Sequence, residues 1–210
     1  MDDKSARLDA ASNPRQATLG DAPRLARMFA AAFSDDPLFD YMVRAGVKRR
    51  AALELFFHDI LFARDIPQGE VWMSADAHAC VSWLPPGGRR SLEGFVERLR
   101  WLPFMLNVFG FSRLGRFMAV SDAMDKNHPL EQHFYLTFIA VSPQYRGTGM
   151  GSRILKATLD RIDRASGAAY VENSNPDHNT RFYEQGGFVT RKDVAPAGAP
   201  PLIAMWRAAR

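Results

Sequence analysis

A glycine-rich segment in the C-terminal third has residue types that could bind an anion. The segment reads Arg146-Gly147-Thr148-Gly149-Met150-Gly151-Ser152. An apolar run before it predicts a strand, and an amphipathic helix is predicted over 149–165. A helix N-terminus leaves backbone N–H groups unpaired and carries partial positive charge, and glycines let the backbone approach a ligand. With the charge of Arg146, the pattern predicts a cradle for an anion, most simply a pyrophosphate.

Two familiar nucleotide-binding loops fit this segment poorly. A P-loop ends in Gly-Lys-Ser/Thr, whereas Ser152 follows Gly151 directly with no lysine. A dinucleotide-binding G-x-G-x-x-G loop that starts at Gly147 needs a third glycine where Ser152 stands, although Glu172 lies where a ribose-binding acid is expected. The missing lysine excludes a P-loop. Only one strand–helix–strand unit is apparent here, which disfavours a dinucleotide-binding loop.

The segment and its flanks resemble the GCN5-related N-acetyltransferase (GNAT) family. Residues 146–151 match that family's R/Q-x-x-G-x-G/A loop, and residues 134–143 resemble the strand before it. Residues 170–188 resemble the next strand, helix and closing turn, with Asn175, Asn179 and Tyr183 at the family's spacing. Within the family, the pattern is most similar to puromycin N-acetyltransferase and its relatives.

The resemblance implies an α/β fold with a mixed, strongly twisted sheet of about six to seven strands and helices on both faces. We expect a flexible tail over 1–14 and a single acetyltransferase domain over 15–210. Its acceptor-side half would cover about 15–130, and its acetyl-CoA-binding half about 131–210. Residues 91–127 predict helices that break near Pro103 and Gly110 and that form core with some pocket lining.

The resemblance also implies acetyl-CoA as co-substrate, held largely by backbone groups. The pantetheine arm would pair with the strand edge at Ile139, Ala140 and Val141, as an added strand does. The diphosphate would accept hydrogen bonds from the N–H groups of Arg146, Gly147, Thr148, Gly149, Met150, Gly151 and Ser152. Asn175, Asn179 and Tyr183 complete the expected cofactor-binding set.

An acid and a base are needed for acetyl transfer to an amine. Tyr183 stands where the family usually has its general acid, which would protonate the leaving thiolate; an ordinary half-buried tyrosine is the alternative. Glu172, late in its predicted strand, is the leading candidate for the base. Glu131 and His133, at the start of the preceding strand, are the alternatives.

Acceptor recognition is expected from the N-terminal half. Phe33, Asp36 and Trp83 are the chief candidates, with Phe39 and Tyr41 behind them. Asp36 could attract a cationic amine, but aspartate before proline is also a common turn residue. We expect a primary amine of a small molecule as the acceptor. A protein lysine or N-terminal amine, and a non-catalytic acetyl-CoA sensor of the same fold, remain as alternatives.

Composition sets few further limits. The 210 residues are 47% hydrophobic and 24% charged, as in a globular protein, and the net charge of +4 does not demand nucleic acid. No apolar run reaches about 18 residues and the N-terminus lacks a secretory pattern, so we expect a cytoplasmic protein without membrane or nucleic-acid partners. We expect a buried Cys80 and, since the five histidines lack ligand spacing, no metal. A homodimer would follow family habit.

Overall fold

The computed structural model describes residues 3–88 and 95–210, and in them a seven-stranded mixed sheet has the order β1-β2-β3-β4-β5-β7-β6. The neighbouring strands pair antiparallel except β4 and β5, which are parallel. The strands are β1 (Arg15–Gln16), β2 (Val71–Met73), β3 (Ala79–Leu84), β4 (Phe134–Val141), β5 (Ala169–Asn173), β6 (Val189–Asp193) and β7 (Ile203–Arg207). The predicted α/β fold with a mixed sheet is confirmed.

Helices cover both faces of the sheet. They are α1 (Asp3–Ser12), α2 (Ala22–Ala32), α3 (Pro37–Met42), α4 (Arg49–Ile60), α5 (Phe95–Asn127), α6 (Met150–Arg164) and α7 (Pro176–Gln185). Buried residues of α2–α5 form one core with Cys80 and Tyr170 of the sheet, and those of α1, α6 and α7 form a second core with Val171. Because side chains alternate along a strand, neighbouring residues of β5 enter different cores. Cys80 is fully buried, as predicted.

The parallel pair of strands β4 and β5 is short, and this positions the site. Residues 134–136 of β4 pair with residues 169–171 of β5. Both strands then continue, β4 to Val141 and β5 to Asn173, without further pairing between them. Beyond this point the facing edges of the two strands are therefore open to a ligand.

A β-bulge on β4 marks the start of the separation. Ser82 pairs with Phe138 and the next residue of β3 pairs with Leu136, so Thr137 is an extra residue, which bends the strand. The Thr137 hydroxyl donates a hydrogen bond to Oδ2 of Asp65 at 3.0 Å, and the Ser82 hydroxyl donates to the same oxygen at 2.5 Å. Asp65 is fully buried and thus joins the turn after α4 to both strands.

The N-terminal residues form a helix, so the flexible tail predicted over 1–14 is wrong. Ala11 is fully buried in the α6-side core, and Leu8 packs against that core. The guanidinium carbon of Arg7 lies 4.3 Å from the ring centroid of Tyr145, just before the glycine-rich segment. The polar composition misled the prediction because a few apolar residues on one side are enough to dock a helix whose other sides face water.

Helix α5 differs in detail from the predicted elements. Gly110 has a left-handed φ of 68° and interrupts α5, as predicted, whereas Pro103 lies within its first part. Residues 91–94 of the predicted helical stretch lie outside the described residues. Helix α7, within the stretch that resembles a strand, helix and closing turn, begins at Pro176. Among the described residues, no helix combines the length and hydropathy that crossing a membrane requires.

Placing a charge at Ala11 tests the docking of α1. We expect Ala11→Asp to lower the free energy of unfolding by about 3 kcal/mol, because the carboxylate would be buried without a partner. Thermal melts of the purified variants measure this. Ser5→Asp, at an exposed position of the same helix, is the matched control and should melt like the wild type. Equal melting of both variants would mean that α1 is detached in solution.

Candidate active site

A groove of about 1930 Å³ runs along the open edges of β4 and β5 and continues between the sheet and α3–α5. It therefore connects the two halves that the sequence assigned to cofactor and acceptor. The predicted cofactor-binding residues that line it are Ile139, Ala140, Val141, Arg146, Gly147, Gly149, Met150, Gly151, Ser152, Asn175, Asn179 and Tyr183.

The start of α6 presents unpaired backbone N–H groups to this groove. Gly149 precedes the helix with a left-handed φ of 96°, and its carbonyl accepts the N–H of Arg153, the first to find a partner within the helix. The N–H groups of Met150, Gly151 and Ser152 are those that every helix leaves unpaired. All three residues line the groove, so the segment fits an anionic group such as a diphosphate.

The side chains of two residues of the segment make hydrogen bonds that support the loop. The guanidinium of Arg146 donates a hydrogen bond to the carbonyl of Ala32, the last residue of α2. A cation at a helix C-terminus is favourable, so the charge expected at the groove mouth is engaged there. Thr148 is not a lining residue, and its hydroxyl donates to the carbonyl of Tyr145 at 2.7 Å.

Tyr183 occupies the inner side of α7 and lines the groove with 7% of its surface exposed. Burial raises the pKa of its hydroxyl above the ordinary value, and the negative charge of Asp36 raises it further. Both effects favour the neutral phenol. Tyr183 therefore keeps its proton at neutral pH, which is the protonation state that the predicted acid role needs.

Asp36 is both a helix cap and a groove residue. Its Oδ1 accepts the N–H groups of Leu38 and Phe39 at 3.0 and 3.1 Å, and its Oδ2 accepts the hydroxyl of Ser174 at 2.7 Å. Burial raises the pKa of this carboxyl, and the three hydrogen bonds lower it in part. Sequence reasoning missed Ser174, which ties the end of β5 to α3.

Trp83 does not line the groove, so its assignment to acceptor binding is wrong. It is 1% exposed and belongs to the α6-side core, because it shares a face of β3 with Val81. Phe33 and Phe39 do line the groove, whereas Tyr41 is not among the lining residues and has Arg116 over its ring at 4.8 Å.

Glu172 is the candidate base that lines the groove. Its side chain is 2% exposed, and neither carboxylate oxygen has a hydrogen-bond partner among the described residues. Such burial is costly unless a cation or proton meets the carboxylate. The Glu131 side chain is exposed, and its Oε1 lies 3.8 Å from Nη1 of Arg191. His133 is buried behind Glu172. Neither Glu131 nor His133 lines the groove.

The acceptor side of the groove is a chamber walled by aromatic rings. They come from α3, α4, both parts of α5, the end of α2 and β4, so the chamber has walls on several sides. The phenylalanines that line it are Phe33, Phe39, Phe56, Phe104, Phe109, Phe117 and Phe138. In the part of the chain that is described, no group of three or more His, Cys, Asp or Glu side chains could hold a metal ion.

Comparison with known proteins identifies the domain. Residues 107–190 match the family described as Acetyltransferase (GNAT) domain. The matched residues, about two fifths of the chain, are thus similar to an acetyltransferase domain of the GNAT type. The matched range holds the loop, Glu172 and Tyr183, while Phe33 and Asp36 precede it. The domain match and the shared fold support an N-acetyltransferase.

Solved structures share the fold over nearly the whole chain. A histone acetyltransferase HPA2 and related acetyltransferase from Corynebacterium glutamicum is 22% identical with a TM-score of 0.71, covering 94% of this chain and 97% of that one. The polyamine N-acetyltransferase of Drosophila melanogaster is 15% identical with a TM-score of 0.60, covering 93% and 98%. At these identities the likeness is one of fold.

A curated relative matches a shorter stretch. A probable serine/threonine-protein kinase of Dictyostelium discoideum is 31% identical over 86 residues, which are 39% of this chain. The match spans 9% of that protein's length, so it carries no argument for its activity here.

A methyl group at Gly149 tests whether the glycine-rich loop binds the diphosphate. We expect Gly149→Ala to weaken acetyl-CoA binding about tenfold, because a left-handed φ strains any residue with a Cβ and shifts the N–H groups. Calorimetric titration measures the affinity, and a thermal melt confirms folding. Gly115→Ala on α5, where a Cβ meets nothing within 4 Å, should bind normally. Wild-type affinity in a folded Gly149→Ala would contradict the assignment.

Proposed function

We propose that the protein transfers the acetyl group of acetyl-CoA to a primary amine of a small molecule by direct attack on the thioester. The observation that carries this proposal is a buried carboxylate without a hydrogen-bond partner, Glu172, in the groove that also holds Tyr183 and the loop. A site built this way suits a cationic amine that must lose a proton before it reacts. The groove offers a place for donor and acceptor together.

Each residue has a separate role in the proposed reaction. Glu172 accepts a proton from the ammonium group of the acceptor, directly or through water, because a protonated amine has no lone pair for attack. The edge of β4 at Ile139–Val141 aligns the donor beside the attacking nitrogen. Tyr183 then donates its proton to the sulfur that leaves when the tetrahedral intermediate collapses, and the second proton of the attacking nitrogen passes to the Tyr183 oxygen, which restores the phenol and leaves the neutral amide. No metal is required in this scheme.

The aromatic chamber supports an acceptor with an apolar body. Rings offer apolar surface and a negative face that attracts cations, so an amine attached to an aromatic or aliphatic group suits the chamber. The solved structures that share this fold include an agmatine N-acetyltransferase and a polyamine N-acetyltransferase that forms N-acetylagmatine, and the acceptors of both are small amines. The resemblance to puromycin N-acetyltransferase-like enzymes supports the same class of acceptor and remains part of this proposal.

A protein acceptor is the second candidate, since one neighbour's name includes histone acetyltransferase. A protein segment needs an open groove, whereas α3, α4 and α5 all contribute lining residues around this chamber. That enclosure favours the small molecule. A non-catalytic acetyl-CoA sensor would leave the unpartnered carboxylate of Glu172 without a purpose.

A binding measurement followed by an acceptor screen tests the proposal. We expect acetyl-CoA to bind with a Kd on the order of micromolar and NAD not to bind in the same calorimetric titration. The screen then compares small amines with lysine-containing peptides by release of free thiol. Preference for small amines supports the proposal, and preference for peptides favours the second candidate. Donor binding without turnover on any amine would favour the sensor.

Removing the Tyr183 hydroxyl tests the acid role. We expect Tyr183→Phe to lower kcat about 10- to 100-fold while acetyl-CoA binding stays the same, because the sulfur then leaves without a proton. Steady-state kinetics with the acceptor from the screen measure kcat and KM separately. Tyr41→Phe, at a tyrosine outside the groove, is the control and should react normally. Full activity of Tyr183→Phe would remove it from the mechanism.

A further inference from the structure

Two imidazole rings lie behind Glu172, away from the chamber. Nδ1 of His128, just after α5, is 3.9 Å from Oε1 of Glu172. Nε2 of His128 is 3.0 Å from Nε2 of His133, and Nδ1 of His133 is 2.6 Å from the carbonyl oxygen of Glu131. The four groups thus form a line from the buried carboxylate to an exposed turn, and the two histidines flank the turn that joins α5 to β4.

The hydrogen positions along this line follow from the contacts. A carbonyl oxygen accepts, so Nδ1 of His133 must carry a hydrogen. The contact between the two Nε2 atoms holds one hydrogen. When both rings are neutral, that hydrogen belongs to His128, which leaves a lone pair on its Nδ1. An additional proton on the pair must therefore appear at Nδ1 of His128, the atom that faces Glu172.

We propose that His128 and His133 form a proton relay that takes the acceptor's proton from Glu172 and releases it at the Glu131 turn. The proposal rests on the proposed function. The ammonium N–H bond breaks as a Glu172 O–H bond forms, and this proton then passes to Nδ1 of His128. His128 gives its Nε2 hydrogen to Nε2 of His133, and His133 releases its Nδ1 hydrogen to water at the turn. Each residue gains and loses one proton and no electrons are exchanged. The two rings are left with their hydrogens on the opposite nitrogens, so each ring must turn over before the next cycle.

The distance between Glu172 and His128 sets one condition for proton transfer between them. At 3.9 Å the carboxylate and imidazole are too far apart for a direct hydrogen bond, so a bridging water or a small rotation of the Glu172 side chain must close it. Neither Glu172 oxygen nor Nδ1 of His128 has a hydrogen-bond partner among the described residues. A carboxylate oxygen of Glu172 and Nδ1 of His128 are thus both available to the same bridging group.

The surroundings of the two rings are aromatic, with charge at the outer end. The rings of Tyr135 on β4 and Tyr170 on β5 meet His128 edge-on at 5.1 Å. The ring centroid of Trp206 on β7 lies 5.5 Å from that of His133. The guanidinium of Arg191 on β6 lies over the Trp206 ring and near the Glu131 carboxylate. Among the described residues, the titratable and charged groups placed around the pair include Tyr135, Tyr170, Glu172, Glu131 and Arg191.

Substitution of His128 by glutamine tests the relay in the intact protein. We expect His128→Gln to lower kcat about tenfold or more and to change the pH profile of kcat/KM, because the proton on Glu172 then lacks its route to the turn. The double variant with Glu172→Gln should be no slower than Glu172→Gln alone, since the two groups act in sequence. His58→Gln, outside the groove, should keep the wild-type rate and profile.

Two results would overturn the relay. One is an unchanged pH profile in His128→Gln with only a lower melting temperature, which would make the residue structural. The other comes from ring ¹⁵N NMR of the wild type, which needs no acceptor: at alkaline pH we expect the hydrogen of His128 on Nε2, and finding it on Nδ1 contradicts the relay. If no amine reacts, the proposed function fails, and the NMR result still decides the hydrogen positions.

Discussion

The site depends on the separation of β4 from β5 after three paired residues. Strands that stayed paired to Val141 and Asn173 would close the groove and satisfy the backbone groups that a ligand needs. The bulge at Thr137 bends β4 at this point, and the fully buried Asp65 holds the bulge by accepting hydrogen bonds from Thr137 and Ser82. A carboxylate on the acceptor-side layer thereby shapes the strand edge proposed to bind the donor.

Side chains alternate along β5, so that neighbouring residues of this strand face the glycine-rich loop side and the acceptor side of the sheet in turn. Val171 enters the core that supports α6 and its N–H groups, while Glu172 turns toward the chamber formed by α3–α5. The loop is braced from outside by α1, through Leu8 beside Gly149 and Arg7 over Tyr145. The N–H groups are therefore held in place before any ligand arrives, which lowers the entropy lost on binding.

Sequence reasoning succeeded where the determining interactions are local. The loop from Arg146 to Ser152, the amphipathic α6 and the spacing to Tyr183 all lie within one stretch of the chain, and the structure puts most of these residues in one groove. The misses are long-range. Docking of α1 depends on a distant face of α6, the side of β3 that holds Trp83 depends on register, and His128 meets Glu172 from 44 residues away.

In the proposed reaction, helix α5 would link recognition of the acceptor to the transfer of its proton. Both parts of the helix, before and after the interruption at Gly110, contribute rings to the chamber, and the helix ends at Asn127, immediately before His128. Any displacement of α5 by a bound acceptor would therefore also move the imidazole that faces Glu172. Because a proton crosses a 3.9 Å gap only after the groups approach, a shift of about 1 Å there is enough to allow or prevent transfer. An acceptor that fills the chamber and one that merely enters it would then differ in rate as well as in affinity.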